Sequence, residues 1–158
     1  MARILPLLLT SICGLSFSVS LPAQTTSPAV RPAGGAYFQA LVKEAKSRIR
    51  EIGADQLGVL QKATPSPVLV DVREDNEWDK GRIPGAIHVG RGVLEVNIES
   101  RLPQKSTPIV VYCQGGGRSA VAADVLTKMG YTNVSSLAGG SAAYQAAGLP
   151  VDKSTPPK

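Results

Sequence analysis

A cysteine, three glycines and an arginine stand close together between Cys113 and Ser119. The thiolate is the form of cysteine that attacks electrophilic centres. Glycines allow a loop to curl until its backbone N–H groups face one point, and such a nest stabilises an anion. Arg118 adds a positive charge near the same point. We therefore predict an active site with Cys113 as the nucleophile, cradled by Gln114, Gly115, Gly116, Gly117 and Arg118.

A strand before this loop and a helix after it are expected to position the cysteine. Ile109–Tyr112 is apolar and rich in β-branched residues, as in a buried strand, and the residues from Ala120 to Leu126 read as a helix. The first N–H groups of a helix have no partner within it and favour a negative charge. Because the helix dipole contributes at most about 2 kcal/mol, the loop N–H groups and nearby arginines must also stabilise the thiolate.

A second set of polar residues, which includes Asp71 and Arg73, lies at the end of another apolar strand, Val68–Val72. Strands alternate with helices along the chain, which predicts an α/β sandwich around a central parallel sheet. Ligands bind beyond the carboxyl ends of such strands, so we expect Asp71 and Arg73 near the cysteine loop. We interpret Asp71 as a group that orients the loop or pairs with an arginine, rather than as a base. Arg73 is interpreted first as the partner of an acidic residue and second as a substrate contact.

Three further residues are candidates for the site or its surroundings. His88 is the only histidine, but its apolar neighbours favour a structural role, and a thiolate that is already formed needs no base. Trp78 is predicted to lie in the core, and Arg91 to contact an anionic substrate. One histidine and one cysteine beyond the N-terminal segment do not favour a metal site, and no cofactor is expected.

The first 23 residues have the layout of a secretory signal peptide. Arg3 gives a basic start, Ile4 to Val19 is mostly apolar, and small residues lead to Ala23. Cleavage after Ala23, which we favour, or after Ser20 would leave Cys113 as the only cysteine and exclude an internal disulfide. We expect export, to the periplasm of a bacterium, with no stable membrane insertion after the signal is removed. The alternative is an uncleaved membrane anchor, which the short and interrupted apolar run disfavours.

The rest of the chain divides into a flexible linker over residues 24–35, one domain over 36–151 and a disordered tail over 152–158. An amphipathic helix is predicted over residues 36–51, packed on the domain, with a membrane surface as the alternative. The net charge is +5, but the basic residues are scattered and aromatic residues are few. This distribution does not favour nucleic-acid binding and suits small anions better.

Five motifs, in this order and spacing, resemble the single-domain rhodaneses, a family of sulfurtransferases. The resemblance implies a rhodanese-like three-layer α/β/α sandwich, with Cys113 as the carrier of a persulfide. The loop over residues 113–118 would cradle it, and Asp71, Arg73 and Ser119 would support the loop. The motifs are Asp71–Glu74 with Glu77-Trp78, Gly81–His88, Tyr112-Cys113 with Arg118–Ala120, Gly130-Tyr131 and Leu137–Gly140.

The resemblance also implies the reaction. The Cys113 thiolate would take the outer sulfur from a donor such as thiosulfate and pass it to cyanide or an acceptor thiol. Related phosphatases have five residues between cysteine and arginine, whereas the four here suit sulfur. Rhodaneses that handle thiosulfate well often carry a basic residue in this loop, which the sequence Gln-Gly-Gly-Gly lacks, so the donor is left open.

Two other functions follow from the same residues. One is a non-catalytic rhodanese-like binding module or persulfide carrier that serves a partner protein. The retention of Cys113 favours the enzyme over this module. The other is a thiol–disulfide oxidoreductase, which is disfavoured because no second cysteine of the exported chain could resolve a mixed disulfide.

Overall fold

A computed structural model describes residues 35–155 of the chain. Within that range, helices and strands alternate, as the sequence predicts. The predicted signal peptide and the linker up to residue 34 lie outside the described residues. The elements are α1 (Ala36–Lys46), β1 (Arg50–Ile52), α2 (Ala54–Leu60), β2 (Val68–Asp71), α3 (Asp75–Trp78), β3 (Ile87–His88), a 3₁₀ turn (Arg91–Val93), α4 (Leu94–Arg101), β4 (Ile109–Tyr112), α5 (Gly117–Lys128), β5 (Val134–Leu137) and α6 (Gly140–Ala146).

The five strands form one parallel sheet in the order β1-β5-β4-β2-β3. Helices cover both of its faces. Leu94 of α4 and Leu126 of α5 pack into the core on one face, and Leu57 of α2 and Tyr144 of α6 into the core on the other. The predicted fold class, a central parallel sheet between helical layers, is confirmed.

The central strand β4 is buried along its whole length. Ile109, Val111 and Cys113 pack into the core beneath α5, whereas Val110 and Tyr112 pack into the core beneath α6. A strand buried on both faces reads as a continuous apolar run, which is why this segment was recognisable in the sequence. Cys113 stands at its carboxyl end, where ligands of parallel sheets bind.

The first helix is shorter than predicted. It ends at Lys46, and Arg50–Ile52 pairs with β5 as an edge strand instead of continuing the helix to residue 51. Pairing with a distant strand overrides the local helical spacing. Val42 and Ala45 are buried and α1 packs on α5, which confirms its packing on the domain. No helix among the residues described is long and apolar enough to span a membrane.

The start of the C-terminal tail, which the sequence predicts to be disordered, makes defined contacts with the domain over residues 152–154. Arg82 and Asp152 exchange backbone hydrogen bonds of 2.9 Å in an isolated antiparallel bridge. The guanidinium of Arg82, only 5% exposed, also donates to the carbonyl and hydroxyl of Ser154 at 3.0 and 2.9 Å. A buried guanidinium requires hydrogen-bond partners, and the tail supplies those of Nη2. We refer to these contacts as the tail clasp.

Candidate active site

Cys113 lies at the floor of the predicted loop. The residue is only 1% exposed, while Gln114 and Gly115 above it face the solvent. Its Sγ accepts a hydrogen bond from the Gly116 N–H at 3.2 Å. A cysteine buried only for packing needs no such donor, whereas a backbone N–H aimed at sulfur stabilises a negative charge there.

Gly116 gives the loop its shape. Its φ of +89° lies in the left-handed region, and a Cβ at this position would be 2.9 Å from the Gly139 N. A side chain would therefore meet both backbone strain and a close contact. The α5 helix begins at the next residue, so the backbone donor to the thiol, the Gly116 N–H, stands directly before its first turn.

Ser119 ties the loop to the sheet. It is buried, and its hydroxyl donates to the Gly116 carbonyl at 3.1 Å while accepting a hydrogen bond from Ser136 of β5 at 3.0 Å. It has no hydrogen bond to the sulfur. Ser119 therefore positions the loop rather than taking part in its chemistry.

The beginning of α6 caps the loop from the opposite side. The Ser141 N–H donates to the Cys113 carbonyl at 2.8 Å, and the Ala142 N–H donates to the Gln114 carbonyl at 3.1 Å. A Cβ on Gly140 would overlap the first carbonyl oxygen and lie 2.7 Å from the second. The loop carbonyls are thus turned towards α6 and away from the thiol. The paired glycines 139 and 140 after β5 were the sequence signal for this contact, whose role the sequence analysis missed.

Arg118 is not a free cation beside the thiol. Its guanidinium donates two hydrogen bonds to the Glu77 carboxylate, at 2.6 and 2.7 Å. This pairing lowers the pKa of Glu77 from 4.5 to about 2. It also raises the pKa of Arg118, with a smaller contribution from the nearby Cys113. Glu77, which the sequence analysis gave no role, braces Arg118 from α3.

Asp71 and Arg73 form a buried ion pair. Arg73 Nε and Nη2 donate to the Asp71 carboxylate at 2.6–3.0 Å, and Nη2 also donates to the Gly81 carbonyl at 2.8 Å. With its oxygens occupied in this way, Asp71 is not placed to act as a base. Tyr112 lies beneath the pair, and burial raises the pKa of its phenol, so the phenol stays neutral.

His88 and Arg91 lie outside the loop. His88 donates from Nε2 to the Arg73 carbonyl at 2.9 Å, and its ring stacks on Trp78, which is buried as predicted, at 4.9 Å. Arg91 donates to Glu95 at 2.8 and 2.9 Å, one turn along its own helical segment. The structure therefore gives His88 a structural contact and does not bring the Arg91 side chain to the thiol.

A cavity of about 410 Å³ is lined in part by Gln114, the loop residue that follows Cys113. Its wall includes Arg73 and Glu77, already described, and polar residues that the sequence analysis did not single out. These polar residues come from three separate stretches of the chain, so only the folded structure shows that they lie together. The remaining lining residues are Lys80, Gly81, Gln145, Val151 and Lys153.

Comparison with known proteins identifies the family. Residues 54–147 match the family model for the rhodanese-like domain. The chain belongs to the rhodanese family. A sulfurtransferase from Allochromatium vinosum is 33% identical over 103 residues, which cover 65% of this rhodanese and 94% of the relative. The thiosulfate sulfurtransferase PspE of Escherichia coli K12 is 31% identical over 70 residues, covering 44% and 67%.

A solved structure from Rhodopseudomonas palustris CGA009 is also similar, with a TM-score of 0.68 and 34% identity. The match covers 80% of this rhodanese and 99% of that protein, which is described as of unknown function and a possible tyrosine phosphatase. The fold is thus shared with a protein described as a possible phosphatase, whereas the two sulfurtransferases above are related in sequence. Sulfur transfer in general is the function that the named relatives support.

Proposed function

We propose that this rhodanese takes sulfane sulfur from a small donor such as thiosulfate and carries it as a persulfide on Cys113. The observation that carries the proposal is the hydrogen bond from the Gly116 N–H to the Cys113 Sγ. It belongs to a loop whose carbonyls at residues 113 and 114 are held by α6. The loop thus presents donors to the sulfur and keeps these carbonyls away from it.

The first half-reaction is a displacement at sulfur. The Cys113 thiolate forms a bond to the outer sulfur of thiosulfate, and the sulfur–sulfur bond of the donor breaks. Sulfite leaves with the bonding electron pair, and the negative charge moves to the outer sulfur of the cysteine persulfide. The N–H groups of the loop and of the α5 terminus stabilise that charge before and after the transfer.

The second half-reaction discharges the persulfide. Cyanide attacks the outer sulfur, thiocyanate leaves, and the electron pair of the broken sulfur–sulfur bond returns to Cys113 as a thiolate. An acceptor thiolate reacts in the same way and leaves as a persulfide. Dividing one transfer into two displacements in this manner is covalent catalysis.

The four residues between Cys113 and Arg118 support sulfur over phosphate, because a phosphate cradle in related enzymes is one residue longer. Export by a signal peptide that ends at Ala23 is part of the same proposal. It is supported by the basic, apolar and small-residue order of the first 23 residues.

The test is the mass of the protein after incubation with thiosulfate. Wild type is expected to gain one sulfur atom, and cyanide should remove it with release of an equal amount of thiocyanate. The Cys113→Ser variant should gain nothing, and neither protein should hydrolyse an aryl phosphate. The proposal fails if wild type gains no sulfur from thiosulfate, polysulfide or an organic persulfide. It also fails if Cys113→Ser gains as much sulfur as wild type.

A further inference from the structure

The cavity beside Gln114 carries two uncompensated positive charges. Lys80 and Lys153 line it, and within residues 35–155 neither has a carboxylate oxygen within 4.0 Å. The other charged groups of the wall are already paired. Arg73 is bound to Asp71, and Glu77 is bound to Arg118. The cavity therefore has a net attraction for anions.

Gln114 adds a neutral donor to the same wall. Its side-chain carbonyl accepts a hydrogen bond from the Ser141 hydroxyl at 3.0 Å. That contact fixes the orientation of the amide and leaves its NH₂ group to donate elsewhere. Since Gln114 directly follows Cys113, a ligand that it holds lies next to the thiol loop.

The tail clasp brings the two lysines together although 73 positions separate them in the sequence. Arg82 pairs with Asp152 in antiparallel fashion, so Gly81 lies opposite Lys153. A Cβ on Gly81 would be 3.4 Å from Lys153 Cγ and 3.0 Å from Val151 Cγ1. Lys80, which precedes Gly81, thus shares one wall with the lysine of the tail.

We propose that Lys80 and Lys153 recognise the oxyanion end of the sulfur donor. They would supply, from outside the cysteine loop, the positive charge that Gln-Gly-Gly-Gly lacks. The ligand class is a small dianion with a sulfonate-like end and a transferable outer sulfur. This inference rests on the proposed sulfur transfer, because it names the residues that bind the unreactive end of the sulfur donor.

The test compares the alkylation of Cys113 by two reagents that differ in charge, the anion iodoacetate and the neutral iodoacetamide. A Lys80→Gln, Lys153→Gln double variant is compared with wild type and with a Lys43→Gln, Lys62→Gln control. The control loses the same net charge from exposed lysines that do not line the cavity. In the cavity variant, the rate with iodoacetate relative to iodoacetamide is expected to fall by about tenfold. The control ratio should stay near that of wild type.

The steady-state readout is the KM for thiosulfate. It should rise in the cavity variant while the iodoacetamide rate stays unchanged, because the charges attract the donor and do not activate the thiol. The inference is overturned if the reagent ratio of the cavity variant equals that of the control. If the ratio falls but wild type takes up no sulfur, anion recognition at the lysines stands and the proposed sulfur transfer fails.

Discussion

Arg118 shows how one contact changes the role of a residue. Its position five residues after Cys113 suggests a cation that acts directly on the thiol, but Glu77 binds both of its outer nitrogens. Much of its charge is therefore compensated. The backbone N–H groups of the loop then carry a larger share of the stabilisation of a thiolate or persulfide. Arg118 joins the first turn of α5 to α3 and so braces the loop.

The Glu77–Arg118 pair should contribute to stability in a defined pH range. Because the pKa of Glu77 falls from 4.5 to about 2 on folding, the unfolded chain takes up the proton first as pH decreases. The contribution is complete above about pH 5 and is lost as pH falls towards 2. Glu77→Gln should lower the free energy of unfolding by about 1 kcal/mol at pH 7, since the pair is partly exposed.

Urea denaturation of wild type and Glu77→Gln at several pH values provides the measurement. The difference between the two proteins should be constant from pH 7 to 5 and should disappear near pH 2. Parallel curves through the acid range would contradict the pairing. Equal free energies of unfolding at pH 7 would also contradict it.

The α6 helix acts on the site through its first turn. Its N–H groups hold the carbonyls of Cys113 and Gln114, and Ser141 also orients the Gln114 side chain. The close approach depends on Gly140, which has a φ of +58° and no room for a Cβ. This element therefore sets the shape of the cysteine loop although none of its side chains bonds to the sulfur.

Substitution of Gly140 tests the cap. Gly140→Ala should displace the loop and lower both sulfur transfer and the rate of Cys113 alkylation by more than about tenfold. Gly148→Ala is the matched control, because Gly148 has a φ of +71° but nothing within 4 Å of an added Cβ. Both variants share the backbone strain of about 1–3 kcal/mol. Equal activity of the two would show that the close approach of α6 does not matter.

The local parts of this arrangement could be predicted from the sequence, and the non-local parts could not. The run from Ile109 through Cys113 into α5 is continuous, so its apolar pattern and glycines were sufficient. The end of α1 could not be predicted from the local pattern, because Arg50–Ile52 becomes a strand only by pairing with β5. The partner of Arg118 and the cap by Gly140 likewise depend on residues that are distant in sequence.

At the scale of the whole molecule, two segments outside the family match complete the described fold. Before residue 54, α1 packs on α5, and Phe38 lies 3.3 Å from where a Cβ of Gly117 would be. Arg48, two residues after the end of α1, donates two hydrogen bonds to Asp124 of α5, at 2.8 and 2.9 Å. After residue 147, the tail clasp fastens the chain to Arg82. Both ends of the described fold thus lie close to the elements that form the site.

Removal of the tail clasp should destabilise the protein. A chain that ends after Pro150 loses the backbone bridge, and also the ion pair and hydrogen bonds that Asp152 and Ser154 give to the Arg82 guanidinium. We expect Tm to fall by about 5 °C or more. A chain that ends after Thr155 keeps every described contact and is the control. Thermal unfolding by circular dichroism checks the difference, and equal Tm values would contradict a role of the clasp in stability.

The cap by α6 also has a consequence for the newborn chain. The ribosome makes Cys113 before the helix that holds its loop, and domains form as the chain emerges from its N-terminal side. Until residues 140–146 have been made and have docked, the loop lacks the hydrogen bonds that hold its carbonyls at residues 113 and 114. The loop that surrounds the nucleophile therefore takes its final shape only after α6 has formed.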